Sequence, residues 1–328
     1  MASPCSTAKA ASTSGSSSGG PPAIDLPCSV PGLAQVDLVR GATADESAAP
    51  TLVIEVPHGA DQLTHYTHTA RQLRGPMPEG LFDWFCVNTD VGAWDLGGAV
   101  AEAYVRHRPA ESALVVRALV PRTFIDCNRI LQKPDARPLS EGGLTPGLPP
   151  YITDFGDQAL LQALHARYVA VAEAAFEVVC GRGGRGLHCH TYAPRSVSID
   201  RVDADIVKNI RAAWEPDVAE TWPLRAEVDL ISRDENGERL CIEGAVEDLL
   251  AAYTALGVQA VEGKAYFLHP STRAATLSQR YPGQTLGVEV RRDKVVDAWL
   301  PFSVMQPNPT AIARFAQPLA DMLAARPG

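Results

Sequence analysis

From Leu52 to the C-terminus, short runs of β-branched and apolar residues alternate with longer segments whose apolar residues recur at helical spacing. TLVIEVPHG is rich in β-branched residues and is cut off by Pro57, His58 and Gly59. It reads as a buried strand whose end delivers His58 into a loop. VGAWDLGGAVAEAYVRHR follows with Leu96, Val100, Ala103 and Tyr104 on one helical face, and SALVVRALVPR reads as a second buried strand. Ala159 to Val179 carries Leu161, Leu164, Tyr168, Val171, Ala175 and Val178 along one side of an amphipathic helix. GLHCHTYAP is then a short strand, Glu243 to Leu256 a helix, LGVEVRRD a strand and Thr310 to Ala325 a closing helix. Strands that alternate with helices imply an α/β fold with a largely parallel central sheet flanked by helices. In such a fold, function sits at the carboxyl ends of the strands.

The connections carry information too. Between Gln132 and Pro150 the density of Pro and Gly predicts a long surface loop over the site. The GRGGRG stretch has no Lys-Ser/Thr and leads into a strand, so it is not a phosphate loop. A chain of 328 residues that is 46% hydrophobic can bury a sizeable core, and residues 26–328 are expected to form one domain. Residues 1–25, rich in Ser, Gly and Ala, are expected to be a disordered tail.

A formal charge of -9 without a Lys/Arg-dense stretch argues against nucleic acid or an anionic membrane surface as partner. The seven cysteines are scattered and never spaced Cys-x-x-Cys, which fits free thiols in a reducing compartment. MASPCSTAKAASTSGSSSGG lacks the apolar centre of a secretory signal, and no later run approaches the roughly 20 apolar residues of a membrane span. The expected location is therefore the cytoplasm.

Chemistry-bearing residues cluster where strands end. His58 could leave the core there and reach a cleft as a metal ligand. Asp61, three residues on, and Asp90 in NTDVGA are candidate carboxylate partners, although Asp90 is also well placed to cap a helix. His188 and His190 are two apart in a strand, so both imidazoles share a face, as a metal ligand and its supporting partner would. RTFIDCNR gathers Arg122, Asp126, Asn128 and Arg129 after a strand. Guanidinium grips a carboxylate through two parallel hydrogen bonds, so Asn128 and Arg129 can hold one; Asp126 with either arginine could equally be a buried ion pair. Glu289 sets a charge between Val288 and Val290, and burial would raise its pKa toward that of a general base; pairing with Arg291 or Arg292 is the alternative. A thiol nucleophile at Cys189 is disfavoured, because neighbours in a strand point to opposite faces.

Taken in order, IEVPHGA, NTDVGA, RTFIDCNR, the loop ending in GLPPY, LHCHTYAP and VEVRRD resemble the signature blocks of the N-formylglutamate amidohydrolase family over roughly Leu52 to Leu323. The resemblance implies a zinc carboxypeptidase-like fold, a mixed sheet sandwiched by helices that holds one zinc ion. It implies hydrolysis of an N-formyl or N-acyl amino acid with a free carboxylate. By the same resemblance His58 and His190 match the metal histidines, with Asp90 or Asp61 as the carboxylate ligand, and Glu289 matches the glutamate that promotes attack by water. Asn128 and Arg129, with Asp126 beside them, match the block that holds the substrate carboxylate, and Arg122 and Arg292 are electrophile or anchor. The family's common Asp-x-His-Ser block is here His188-Cys189-His190-Thr191, so His188 stands in place of an acid. A metabolite-binding protein without turnover, or a carboxypeptidase-like peptidase, are the alternatives on the same scaffold.

Overall fold

The computed structural model describes residues 24–135, 137 and 143–326. Most of the expected N-terminal tail, residues 1–23, lies outside the described residues, as do six positions of the 132–150 loop. The elements in chain order are β1 (Ala34–Arg40), β2 (Leu52–Val56), α1 (Leu63–Ala70), α2 (Leu81–Asn88), α3 (Ala93–His107), β3 (Ser112–Ala118), α4 (Phe155–Val179) and β4 (Arg185–Tyr192). They continue with α5 (Ile206–Ala213), α6 (Pro216–Ala219), β5 (Val228–Ile231), α7 (Ala245–Ala255), β6 (Ala260–Glu262), α8 (Arg273–Arg280), β7 (Thr285–Arg291) and α9 (Pro309–Ala324).

The seven strands form one sheet in the order β1-β3-β2-β4-β7-β5-β6. Strands β3, β2, β4 and β7 run parallel, β1 and β5 join that block antiparallel, and β6 pairs parallel with β5. The sheet is thus mixed and mostly parallel, with helices on both faces. Strands β2 and β7 are buried at every residue, which is why they read as continuous apolar runs rather than alternating ones. Ile54, Leu187 and Val288 pack with Leu96 of α3, Leu249 of α7 and Phe315 of α9 on one face. Val53 and Leu114 pack with Trp84 of α2, Tyr168 and Phe176 of α4 and Ile210 of α5 on the other. No described helix is long and apolar enough to cross a membrane.

Two expectations need correction. The sheet begins before Leu52: β1, AQVDLVR, is a half-exposed edge strand whose apolar residues alternate with polar ones, a weaker signal than a buried run. Helix α4 starts at Phe155 rather than Ala159, because Asp154 caps it by accepting the Asp157 N–H at 3.0 Å.

Register decides what the strands present. Glu55 of β2 lies beside His188 of β4, and His190 lies beside Glu289 of β7, which in turn faces Asp229 of β5. Residues paired across a sheet share a face. Five buried titratable side chains are therefore aligned on the α2/α4/α5 side, near the carboxyl ends of the parallel strands.

Candidate active site

His58 leaves β2 through Pro57-His58-Gly59. A Cβ on Gly59 would lie 2.8 Å from the Arg117 Cβ, so only glycine lets this turn pass so close to β3. Asp90 arrives from α2, and Gly92, in the left-handed region at φ +83°, lets the chain turn at once into α3. Gly92 rather than Asp90 occupies the cap position, which frees the Asp90 carboxylate. That carboxylate lies between two imidazoles, with Oδ2 3.1 Å from His58 Nδ1 and 2.9 Å from His190 Nδ1. Among the described residues, His58, Asp90 and His190 form a group whose ligand atoms all lie within 4.8 Å of one another.

The donor set fits a divalent cation on its own chemistry. His58 Nε2 is 2.7 Å from Asp126 Oδ1, and a carboxylate can only accept there, so Nε2 carries the proton. His58 Nδ1 is left facing the Asp90 oxygen. Two ring nitrogens that converge on one carboxylate oxygen are held there by shared protons or by a cation among them. Two imidazoles and a carboxylate beside an open cavity are the ligand pattern of hydrolytic zinc. The Asp126–His58 bond is the outer carboxylate that fixes a metal-binding tautomer.

Charge supports the carboxylates. Burial opposes ionisation of Asp90, but His58 and His190 outweigh it and hold its carboxyl below the ordinary range. Asp126 is also held low: burial is outweighed by Arg129, His58 and Arg122. Its Oδ2 lies 2.9 Å from Arg122 Nη2 and 3.5 Å from Arg129 Nη2, and its Oδ1 also accepts the Asn128 N–H at 2.8 Å. Asp126 does not line the cavity and has no capacity left for substrate. Its expected substrate-binding role is corrected to that of His58 partner and arginine clamp. Asp61 is not in the cluster either; it sits 3.8 Å from Arg117 and 3.9 Å from His65, while burial, opposed by Arg117, lifts its carboxyl to about 6.

Glu289, 8% exposed, faces the same cavity one strand over from His190, and its Oε2 has no hydrogen-bond partner among the described residues. Burial pushes its carboxyl well above the usual range and the Asp90 charge adds to this, against the pull of Arg225 and Arg122. Of the sequence alternatives, pairing with Arg291 or Arg292 does not occur. Arg291 bonds Asp293 and the Arg225 carbonyl, and Arg292 donates to the carbonyls of Val87 at 2.8 Å and Thr191 at 3.1 Å. Arg292, which also lines the cavity, lies 3.8 Å from Asp90, and its two carbonyl bonds tie α2 to β4. Arg122 lies 3.7 Å from Asp90, lines the cavity, and its Nε has no partner among the described residues.

The cavity measures about 360 Å³. Arg129 donates Nε and Nη2 to Thr145, and Asn128 accepts the Ala274 N–H through Oδ1 at 3.2 Å. Arg129 Nη1 and Asn128 Nδ2 make no hydrogen bond among the described residues, and both side chains line the cavity. Arg225, which no motif marked, lines it too, held against the rings of Tyr192 and Tyr266 at 5.1 and 5.6 Å. Glu55 was also missed, although it interrupts an apolar strand just as Glu289 does. Cys189 points to the other face, with Sγ 3.5 Å from the Ala93 carbonyl, and burial pushes its thiol up, so it supplies no nucleophile.

No protein-family model matches the chain, and no curated protein matches it. Among solved structures, the chain is similar to an N-formylglutamate amidohydrolase from Ralstonia eutropha JMP134 at 17% identity and a TM-score of 0.48. That overlap covers 88% of this chain and 96% of the other. It is also similar to a gene product of Agrobacterium tumefaciens at 14% identity and a TM-score of 0.49, over 88% of this chain and 93% of that one.

Proposed function

We propose that this chain is a metal-dependent amidohydrolase that cleaves the amide of an N-formyl or N-acyl amino acid bearing a free carboxylate. The observation that carries the reading is the convergence of two imidazole Nδ1 atoms on Asp90, in a cavity wall shared with a protonation-prone Glu289. His58, Asp90 and His190 would hold the ion, and zinc bound there would supply Lewis acidity and acidify water.

The remaining steps belong to the chain's own residues. Glu289, whose Oε2 has no partner among the described residues, takes the proton from the attacking water and returns it to the leaving amine nitrogen. A carboxyl whose pKa is raised by burial is suited to both halves of that transfer. Arg122 Nε has an N–H to spare for the oxygen on which negative charge develops. Arg129 Nη1 and Asn128 Nδ2 orient the substrate by its carboxylate, and Asp126 keeps His58 in its Nε2–H form. Trp84, Val87 and Trp214 close the cavity with apolar surface, which strengthens every charge interaction inside it.

Metal analysis of the purified chain, followed by a screen of N-formyl and N-acyl amino acids with zinc, cobalt or manganese, tests this. One metal per chain, lost on His190→Ala, with amine release from at least one carboxylate-bearing substrate is the expected result. Ligand binding without turnover under every metal would instead identify a binding protein on a hydrolase scaffold.

A further inference from the structure

The two ends of the cavity differ in chemistry, and the strands put them on opposite sides of the candidate metal group. Asn128 and Arg129 mark one end. Arg129 bridges to Thr272 and Asn128 accepts the Ala274 N–H, while Arg273 between these two donates to Glu55 at 2.6 Å. Glu55 pairs in register with His188, two residues before His190, so this end lies toward the amino ends of the parallel strands. The other end lies beyond His190. There Arg292 ties the Thr191 carbonyl to that of Val87, and its guanidinium lies over the Trp299 ring at 5.7 Å. The same ring meets Trp214 at 5.1 Å between centroids.

That second end is an apolar recess. Trp84 and Val87 of α2, Ile210 of α5, Trp214 where α5 ends, and Val197 and Ile199 after β4 all line the cavity and belong to one packed cluster. The first four are buried, so they wall an enclosed space and not an open surface. Arg211 fastens α5 to α2 through Asp83 at 2.6 Å, which fixes the spacing of the walls. The cations nearby are engaged. Arg292 is held by its two carbonyls, Arg195 donates to the Trp222 carbonyl at 2.7 Å, and Arg225 bonds Ser196 and sits on the rings of Tyr192 and Tyr266 just ahead of β5.

We propose that this recess is the acyl subsite and that it selects an unbranched apolar acyl chain of about six carbons over a formyl group. The proposal rests on the amidohydrolase reading, which puts the scissile carbonyl at His58, Asp90 and His190 and the substrate carboxylate at Asn128 and Arg129. The acyl carbons leave that carbonyl on the side away from the amine, and so run toward the opposite end. Two strand residues beyond His190 span about 6.6 Å, the reach of a six-carbon acyl chain at roughly 1.2 Å per bond. Water held against two indoles and branched aliphatic side chains is poorly bonded, and an apolar chain that displaces it gains affinity. A formyl group ends at the carbonyl and would leave the recess to water.

The test uses the full chain loaded with zinc. Values of kcat/KM are measured for the N-formyl, N-acetyl, N-butanoyl, N-hexanoyl and N-succinyl derivatives of L-alanine and L-glutamate. Calorimetry measures acetate, butanoate and hexanoate, the acids that hydrolysis would release. Each methylene buried in the recess is expected to contribute about fourfold, so hexanoyl should lead acetyl by about 100-fold or more and lead formyl as well. The acids should bind in the same order. Val197→Trp, which fills the recess, should cut the hexanoyl lead at least about tenfold through KM, whereas Val197→Ala, which leaves it open, should keep most of it. A series led by formyl or acetyl overturns the proposal, as does an unchanged lead in a folded Val197→Trp chain. Succinyl ahead of butanoyl also overturns it, since Arg225 and not the apolar wall would then choose the acyl group. If the acids bind in the expected order but no derivative is cleaved, the amidohydrolase reading fails and the subsite stands. Cleavage without a gain in chain length has the reverse meaning, and if neither binding nor cleavage is seen, both fall.

Discussion

Asp126→Asn isolates the contribution of charge behind the candidate metal site. In the parent, Asp126 Oδ1 accepts from His58 Nε2 at 2.7 Å, while the same carboxylate is clamped by Arg122 and Arg129. Asparagine keeps an oxygen that can accept the Nε2–H, so the tautomer survives and the negative charge does not. Loss of such an outer partner costs about 10–100-fold in metal affinity, or roughly 1.4–2.7 kcal/mol. The same change leaves two buried guanidiniums short of a counter-charge. Breaking a buried pair costs about 3–5 kcal/mol, so the melting temperature should fall as well. Zinc affinity is read by competition with a chromophoric chelator at 20 °C, with circular dichroism to confirm that the variant is folded. Asp61→Asn is the control, since Asp61 contacts neither imidazole of the cluster, and its zinc affinity should stay within about twofold of the parent on the scale of these effects. A folded Asp126→Asn chain that binds zinc as tightly as the parent would refute the argument that this carboxylate supports His58.

Glu289→Gln should retain stoichiometric zinc yet lose kcat by about 10²–10⁴-fold or more, because it removes the proton carrier and no ligand; steady-state kinetics on a substrate found in the screen decides this. Arg129→Ala should raise KM for substrates bearing a carboxylate and leave the corresponding primary amides nearly unchanged, which a paired substrate series measures. Asp61 makes a prediction in pH. Its carboxyl is lifted from 3.8 to about 6, so the folded state holds a proton that the unfolded chain releases. The penalty is absent below about pH 4, grows as pH rises and is complete above about pH 6. Removing it in Asp61→Asn should stabilise the protein at pH 8 by up to about 3 kcal/mol, at ~1.36 kcal/mol per pH unit. Denaturant titrations at pH 4 and pH 8 that gave the same difference between variant and parent would contradict that account.

Much of the architecture was legible from residue pattern alone. Runs such as Leu52–Val56 and Thr285–Arg291 are apolar at nearly every position because both faces of the parallel sheet are covered, and a polar residue that ends or interrupts such a run is conspicuous. His58, His190 and Glu289 stood out for that reason, and the two-residue period placed His188 and His190 on one face and Cys189 on the other. What the pattern could not supply was partnership across strands. Resemblance favoured Asp90 and left Asp61 open, and only the left-handed turn at Gly92 and the convergence of β2 and β4 bring Asp90 to both imidazoles. Asp126 looked like a substrate contact until Arg122, Arg129 and His58 were seen to use its oxygens. Arg292, adjacent to a catalytic-looking strand, turned out to be tied to the carbonyls of Val87 and Thr191. The Arg273–Glu55–His188 chain joins residues 218 and 133 positions apart, a relation no local period encodes. Period and composition report which face a side chain takes, because that depends on the residue's own strand. Which charge it meets there depends on register between strands, and register is decided by the packing of the whole sheet.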